Sequence, residues 1–207
     1  MPTKIVLVRH GETDWNRENR FQGHADTELN EAGREQARML ALELAGETFR
    51  AAYSSPLLRA HETASILAAS LDLEVESADE LMEVDAGSWS GLTRTDIEAR
   101  FPDGFNRWLE YGQGWDDGES YDELGARVVS GLLRIAARHP DGNVLAVTHG
   151  GPIRSALAAA EGVPFAEARR SIHVVDNCAV VRLAVRDGKL EQLDWPPRGG
   201  LHEQVQG

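Results

Sequence analysis

The chain has 207 residues, a hydrophobic fraction of 42% and a formal net charge of −13. This length suits a single domain, and so acidic a surface excludes general affinity for nucleic acid or anionic lipid. The single cysteine, Cys178, allows no intramolecular disulfide, and we expect it to be a small buried hydrophobe rather than a nucleophile. No apolar stretch reaches the roughly 18 residues of a membrane span, and the N-terminus lacks a signal-peptide pattern, which predicts a cytoplasmic protein without a membrane partner.

Strands and helices alternate along the first third of the chain. The run 4–8, apolar from Ile5 to Val8, predicts a strand covered on both faces, and residues 30–44 follow with apolar side chains at helical spacing. A short strand is predicted over 51–55. Ser55 is then expected to cap a helix whose first residue is Pro56, because both residue types favour these positions.

The remaining elements continue this alternation. They are a helix from 120 to about 138, a strand over 143–149, a helix over 151–160, a hairpin over 179–195 that turns at 187–188, and a loose tail after Pro196. Strands alternating with helices predict an α/β fold of three layers, with a mostly parallel central sheet flanked by helices.

Polar residues collect where three of the predicted strands end. Arg9 and His10 follow the first strand, residues 54–55 end the second, and residues 148–151 end the strand of the second half. The carboxyl ends of parallel strands form the ligand crevice of open α/β sheets, so we expect these junctions to converge. Arg59 lies in the first turn of the predicted helix, where the helix dipole disfavours a cation unless an anion is bound.

The residue types at these junctions suit an anion better than a metal. The sequence holds no H-E-x-x-H motif and no cysteine pair, and the neighbouring arginines would repel a divalent cation. Glycines 150–151, followed by Pro152, offer free backbone N–H groups at a helix start, where phosphates bind. A neutral imidazole, of His10 or His149, can attack phosphorus while arginines stabilise the transferring group. The leaving alcohol needs a proton from a carboxylic acid, which spacing alone does not single out among the acidic residues.

The sequence resembles the histidine phosphatase superfamily, in the branch that includes cofactor-dependent phosphoglycerate mutases. The resemblance rests on segments in family order over nearly the whole chain: LVRHGETDWN (7–16), RFQGHADTELNEAGREQA (20–37), YSSPLLRAHETA (53–64), LMEVDAGSWSG (81–91), DGES (117–120) and VTHGG (147–151). It implies that His10 is the nucleophile, which forms a phosphohistidine, and that Glu83 is the proton donor. It also implies that Arg9, Arg59 and His149 complete the phosphate pocket. The substrate-binding positions that it implies are Asn16, Gln22, Gly23 and Gly150, with no metal and no cofactor.

The resemblance leaves the substrate open. Many relatives carry an aromatic residue where this chain has Ala86, a difference that concerns the shape of the substrate rather than the chemistry. The mutases compared have a longer segment between the acid and the second histidine, whereas here His149 follows Glu83 by 66 positions. The segment at about 84–120 is therefore predicted to be a compact lid, inserted over the carboxyl ends of the strands of one domain spanning 1–207. An open lid admits water, which favours a phosphatase of small phosphomonoesters over a mutase.

Two alternatives of other classes are weaker. A non-catalytic phosphate-binding regulatory module would be indicated by loss of one of the implied catalytic residues, all of which are present. A dinucleotide-binding domain is disfavoured because no G-x-G-x-x-G motif follows the first strand. A small phosphorylated substrate is the expected partner, and a homodimer stays open. Few cations are evident near the lid for a second charged end of the substrate, the exceptions being Arg20, Arg94 and Arg107.

Overall fold

The computed structural model describes residues 2–193 and contains one six-stranded sheet. The strands are β1 (Thr3–Arg9), β2 (Ala51–Ser54), β3 (Val75–Ser77), β4 (Asn143–Thr148), β5 (Val180–Arg186) and β6 (Lys189–Gln192). They lie in the order β3-β2-β4-β1-β5-β6. The first four strands of this order pair in parallel, and β5 and β6 pair antiparallel, so the sheet is mixed with a parallel centre.

Eight α-helices lie within the same residues. They are α1 (Asp14–Arg17), α2 (Glu31–Leu44), α3 (Leu58–Leu71), α4 (Arg94–Arg100), α5 (Pro102–Tyr111), α6 (Tyr121–Arg138), α7 (Gly150–Glu161) and α8 (Phe165–Ser171). In this part of the chain, no helix combines the length and the apolar character needed to cross a membrane.

The central strand β1 is buried on both faces, as its unbroken apolar run predicts. Ile5 belongs to one core cluster, together with Leu132 of α6. Val6, the next residue, belongs to the other cluster, together with Leu67 of α3. Successive side chains of a strand point to opposite faces, so β1 divides the two cores and the predicted three-layer arrangement is confirmed.

One predicted helix start is wrong. α3 begins at Leu58 with Leu57 in the N-cap position, and Ser55 and Pro56 precede it. The hydroxyl of Ser55 still accepts a hydrogen bond from the N–H of Leu57 at 3.3 Å, but it also contacts Nε2 of His149 at 2.8 Å. The chain therefore uses this serine to hold a histidine of the neighbouring strand rather than to start the helix.

The other predicted elements agree with the structure within one or two residues. The capping box of Ser120 and Glu123 forms at the start of α6, and the predicted hairpin turns between β5 and β6. The end of that hairpin, from 194 onwards, and the predicted loose tail lie outside the described residues. In the segment 84–120, Trp89 and Trp115 are buried in the same core cluster as Ile5. The function of this segment as a lid stays a prediction.

Candidate active site

The three polar junctions meet at one end of the sheet. Arg9 of β1 is in register with Thr148 of β4, and the N–H of His10 continues the ladder by donating to the carbonyl of Thr148 at 2.9 Å. On the other side of β4, the N–H of Ser55 donates to the carbonyl of Val147 at 3.0 Å. The imidazole centroids of His10 and His149 are 5.1 Å apart. The expectation that the ends of these parallel strands converge is therefore confirmed for the two histidines.

His10 is buried and held in a single tautomer. Its Nδ1 lies 2.7 Å from the carbonyl oxygen of Gly11, so Nδ1 carries the proton and donates it there. The lone pair is consequently on Nε2. Burial, followed by the guanidinium groups of Arg59 and Arg9, lowers the pKa of His10 well below its ordinary value. A neutral imidazole with a free Nε2 is the state that a nucleophile requires.

The backbone around His10 is fixed by close packing. The approach of α2 requires a glycine at Gly11, because a Cβ there would lie 2.5 Å from the carbonyl oxygen of Gly33. On the other side, Nδ2 of Asn177 donates to the carbonyl of His10 at 2.9 Å. These contacts leave little freedom to the turn that presents the imidazole.

Two arginines flank His10 with incompletely bonded guanidinium groups. Arg59 is fully buried, and its terminal nitrogens donate to the carbonyls of Ala25 and Gly23, both at 2.8 Å. NH1 of Arg9 donates to the carbonyl of Val175 at 2.7 Å. The Nε of each arginine is buried without a hydrogen-bond partner, and neither makes an ion pair within residues 2–193. Burial lowers the pKa of Arg59 to about 10, so the group remains charged at neutral pH.

His149 presents a further unpaired ring nitrogen. It is buried, its Nε2 lies 2.8 Å from the hydroxyl oxygen of Ser55, and its Nδ1 has no partner. Burial and the charge of Arg59 lower the pKa of His149 well below its ordinary value. The nitrogens of Arg9, Arg59 and His149 thus supply unsatisfied polar positions around the neutral imidazole of His10.

Glu83 is held against the first turn of α7. One carboxyl oxygen accepts from the N–H of Val84 at 2.9 Å, and the other accepts from the N–H of Gly151 at 3.2 Å. The carbonyl of Glu83 accepts from NH2 of Arg127 at 2.8 Å and from Nε2 of His24 at 2.8 Å. These bonds fix both the backbone and the carboxyl group beside the helix that follows His149.

The two nearby carboxylates serve other purposes. Glu80 forms an ion pair with Arg134 on α6. Asp85 turns its carboxylate back to the N–H of Gly87, at 2.9 Å. Glu83 is therefore the one of the three that contacts α7, a choice that spacing alone did not make.

The predicted substrate-binding positions differ in the hydrogen-bonding groups that they offer. Oδ1 of Asn16 accepts from the N–H and the hydroxyl of Thr13, both at 3.0 Å, which leaves its amino group as a donor. Oε1 of Gln22 accepts from the hydroxyl of Thr27 at 2.7 Å. Gly150 is buried as the first residue of α7. The contact that the structure gives Gly23 is to Arg59, through its carbonyl.

Sequence reasoning gave one side chain at the site the wrong role and missed two others. Ser55 belongs to one of the three junctions expected to converge, but it was predicted to cap a helix, whereas its hydroxyl contacts His149. Arg127 lies in the middle of α6 with no local signal, and its role appears only in its bonds to the backbone at 80–83. Arg154 carried one weak signal, since it follows the glycine pair at helical spacing.

The site has no evident metal ligand set and no reactive thiol. Within residues 2–193, no group of three or more histidine, cysteine, aspartate or glutamate side chains is placed to hold a metal ion. Cys178 is half-buried rather than buried, and it packs against the core cluster of Val6. Burial raises the pKa of its thiol to about 12, so the thiol is protonated. Its N–H donates to the carbonyl of Arg9 at 3.0 Å.

Comparison with known proteins assigns the family. The model of the histidine phosphatase superfamily (branch 1) matches residues 5–196. The chain belongs to the histidine phosphatase superfamily. The resemblance inferred from its motifs is therefore confirmed.

Relatives of this superfamily cover most of the chain. It is 37% identical over 166 residues to phosphoserine phosphatase 1 of Hydrogenobacter thermophilus, covering 79% of each chain. It is 42% identical over 157 residues to phosphoglycerate mutase-like protein 4 of Arabidopsis thaliana, covering 73% of this chain and 68% of that protein. Among solved structures, YhfR of Bacillus stearothermophilus superposes with a TM-score of 0.86 at 30% identity, covering 92% of this chain and 95% of that chain.

These relatives confirm the predicted α/β fold and enzyme class, a hydrolase of the histidine phosphatase superfamily. The roles of individual residues, the single-domain boundary, the cytoplasmic location and a homodimer stay predictions.

Proposed function

We propose that the protein hydrolyses small phosphomonoesters through a phosphohistidine on His10, with Glu83 as the general acid. The observation that carries this proposal is the state of His10, which is a buried, neutral imidazole. Its Nδ1–H donates to the carbonyl of Gly11, and the lone pair of its Nε2 is free. Unpaired nitrogens of two arginines and a second histidine surround it. Such a pocket binds a phosphoryl group and supplies the atom that attacks it.

In the first step, the phosphoryl oxygens occupy the positions left by missing hydrogen bonds. The guanidinium groups of Arg9 and Arg59 supply charged donors, and His149 donates from Nδ1 when the Ser55 hydroxyl donates to its Nε2. The amino group of Asn16 and the N–H of Gly150 add neutral donors. Positioning and charge stabilisation of this kind account for most of the catalysis of phosphoryl transfer.

Two displacements at phosphorus then complete the reaction. Nε2 of His10 forms a bond to phosphorus as the ester P–O bond breaks, and Glu83 gives its proton to the departing alcohol oxygen. Glu83, now a carboxylate, removes a proton from a water molecule that attacks the phosphohistidine. The P–N bond breaks, inorganic phosphate leaves, and both His10 and Glu83 return to their starting states.

The protein groups that bind the phosphoryl oxygens and transfer the proton explain this chemistry without a metal ion. Apart from Glu83, the side chains that face the reacting group are cationic or neutral, and one carboxylate among cations is not a ligand set for a divalent metal ion. We expect full activity in the presence of EDTA. A rate that EDTA abolishes and one divalent ion restores would contradict this part of the proposal.

The nucleophile is tested with p-nitrophenyl phosphate, whose good leaving group depends little on Glu83. His10→Ala should abolish turnover, and His61→Ala, a histidine of α3 outside the pocket, should not. Rapid denaturing quench of the wild type should trap one phosphoryl group, and tandem mass spectrometry should place it on His10. Turnover by a folded His10→Ala variant at the wild-type rate would refute the mechanism.

The alternative of a cofactor-dependent phosphoglycerate mutase is tested with 3-phosphoglycerate. A phosphatase releases inorganic phosphate and glycerate, whereas a mutase converts the substrate to 2-phosphoglycerate. Following both products by ³¹P NMR in one sample measures the partition directly. Predominant isomerisation would favour the mutase.

A further inference from the structure

We propose that Ser55 is a positioning residue that holds the ring of His149 in the Nδ1–H tautomer, so that His149 donates a hydrogen bond to the phosphoryl group. The inference rests on the proposed function and deepens it, because it names the group that decides how one side of the phosphate pocket bonds oxygen. Ser55 acts through the ring of His149, which its hydroxyl contacts at 2.8 Å.

The backbone places the hydroxyl of Ser55 beside His149. The N–H of Ser55 donates to the carbonyl of Val147 at 3.0 Å, which extends the pairing of β2 with β4 by one residue. His149 occupies the N-cap position of α7, but its side chain makes no capping bond. Its Nε2 lies against the hydroxyl of Ser55 instead. Both residues are fully buried, so water does not compete for this contact.

The hydrogen bonds of the Ser55 hydroxyl decide which ring nitrogen carries the proton. A serine hydroxyl has one hydrogen to donate and two lone pairs. Oγ of Ser55 accepts from the N–H of Leu57 at 3.3 Å, and in the described part of the chain the ring of His149 is its other partner. A proton on Nε2 would make both partners donors and leave the hydroxyl hydrogen buried without an acceptor. A lone pair on Nε2 satisfies all three groups, and the cost of a buried unpaired group favours this arrangement about 10-fold or more.

The neutral ring then presents an N–H to the pocket. Burial and the charge of Arg59 lower the pKa of His149 well below its ordinary value, so the ring carries one proton. Because Nε2 is unprotonated, this proton is on Nδ1. Nδ1 is buried and has no hydrogen-bond partner among residues 2–193. It is therefore a donor that is free to bond a phosphoryl oxygen.

The charges of the pocket do not select this tautomer by themselves. The guanidinium groups of Arg59 and Arg9 both act on the ring of His149, and a cation attracts a lone pair and repels an N–H. Before an anion binds, these charges favour a lone pair on Nδ1, which would repel a phosphoryl oxygen. The hydroxyl of Ser55 opposes this preference and prepares the donor in advance, as electrostatic preorganisation requires.

The two histidines of the site reach opposite functions from the same tautomer. In His10, Nδ1 donates to the carbonyl of Gly11, so the lone pair of Nε2 is free. In His149, Nε2 accepts from Ser55, so the N–H of Nδ1 is free. One backbone carbonyl and one serine hydroxyl thus distinguish the nucleophile from the donor in two rings whose centroids are 5.1 Å apart.

The tautomer is measured on the whole protein without turnover. Labelling with ¹⁵N-histidine gives two-bond ¹H–¹⁵N correlations that distinguish a protonated ring nitrogen from one with a lone pair, and His149→Gln identifies the His149 signals among those of the seven histidines. At neutral pH the wild type should show Nδ1 protonated and Nε2 unprotonated. In Ser55→Ala the Nε2–H form should become the major one, a change of about 10-fold or more in the tautomer ratio. Ser54→Ala removes an equally buried hydroxyl, which bonds the carbonyl of Ser55, and should keep the wild-type tautomer.

Inorganic phosphate measures the consequence for binding. Titration of phosphate into each protein gives Kd directly, without substrate. Ser55→Ala should bind phosphate about 10-fold or more weakly than the wild type, the range of a hydrogen bond to a charged group. Ser54→Ala should bind it as the wild type does.

Each outcome decides the proposal. A wild-type His149 with its proton on Nε2 overturns it without any variant, which covers the case that Ser55→Ala does not fold. A folded Ser55→Ala variant that keeps the Nδ1–H tautomer, or that binds phosphate as tightly as Ser54→Ala does, overturns it as well. These measurements do not depend on the phosphoryl group trapped on His10. Absence of that phosphohistidine refutes the proposed function alone, whereas the wrong tautomer refutes this inference alone.

Discussion

Arg127 joins the segment that carries Glu83 to the end of the segment 84–120, and its replacement by methionine tests how the acid is held. NH1 of Arg127 donates to the carbonyls of Met82 at 2.8 Å and Glu80 at 3.0 Å, and NH2 donates to that of Glu83 at 2.8 Å. Nε and NH2 also donate to the two oxygens of Glu119, at 2.5 and 2.7 Å. One side chain thus binds three backbone carbonyls within residues 80–83, the last of them that of Glu83 itself.

The magnitude follows from the burial of this pair. The side chains of Arg127 and Glu119 are 24% and 16% exposed, so removal of the arginine leaves a carboxylate and three carbonyls poorly solvated. Breaking a buried pair in this way costs about 3–5 kcal/mol. At about 2–4 °C per kcal/mol for a chain of this size, Arg127→Met should lower the Tm by roughly 6–20 °C. Glu119→Gln keeps the three carbonyl bonds and should cost about 1–2 kcal/mol.

Urea unfolding and thermal melts measure these differences, with Arg38→Met as the control. Arg38 pairs with Glu31 and Glu35 on an exposed face of α2, where such pairs contribute less than about 1 kcal/mol. At a temperature where Arg127→Met is folded, hydrolysis of an alkyl phosphate should slow more than that of p-nitrophenyl phosphate. A loss for Arg127→Met no larger than that for Arg38→Met, or equal slowing of both substrates, would refute this reasoning.

Two further predictions concern the pocket. The pKa of His10 and of His149 lies well below 6.5 in the folded protein, so the unfolded chain binds more protons at acid pH. The contribution of these two rings to the free energy of unfolding is fully present above about pH 6.5. It should fall by up to about 1.4 kcal/mol per pH unit for each ring as the pH decreases. In urea unfolding His149→Gln should depend less on pH, and an unchanged dependence would contradict this. Gly151→Ala places a methyl group against Glu83 and should slow alkyl phosphates at least 10-fold, whereas Gly46→Ala, in open space, should not; equal rates would show that the acid tolerates displacement.

The elements that the sequence predicts well have local causes. Residues 5–8 are apolar at every position because β1 has a core on each face, and this property is visible in four consecutive letters. The start of α6 is predictable for the same reason, since Ser120 and Glu123 cap the helix through bonds between neighbours in the chain. The convergence of His10 and His149 follows from one general rule about parallel strands.

The features that the sequence predicts poorly depend on contacts between residues that are distant in the chain. Ser55 followed by Pro56 is a strong local signal for a helix start, yet the serine hydroxyl contacts a histidine 94 positions away. Arg127 likewise takes its importance from groups that adjoin it only in the folded chain. Local propensity is a weak preference beside a buried hydrogen bond, which explains why the cap prediction is wrong.

The free lone pair of His10 separates an enzyme from a phosphate-binding module. A module that only binds phosphate gains from every donor, and Arg9, Arg59 and His149 provide donors. An imidazole nitrogen without a proton repels a phosphate oxygen, so a binding site would gain by protonating His10 or replacing it. The carbonyl of Gly11 instead holds the proton on Nδ1, and the arginines lower the pKa of the ring, which keeps Nε2 unprotonated inside an anion pocket. That arrangement weakens binding of a phosphate oxygen, and it is the state that the proposed attack of Nε2 on phosphorus requires.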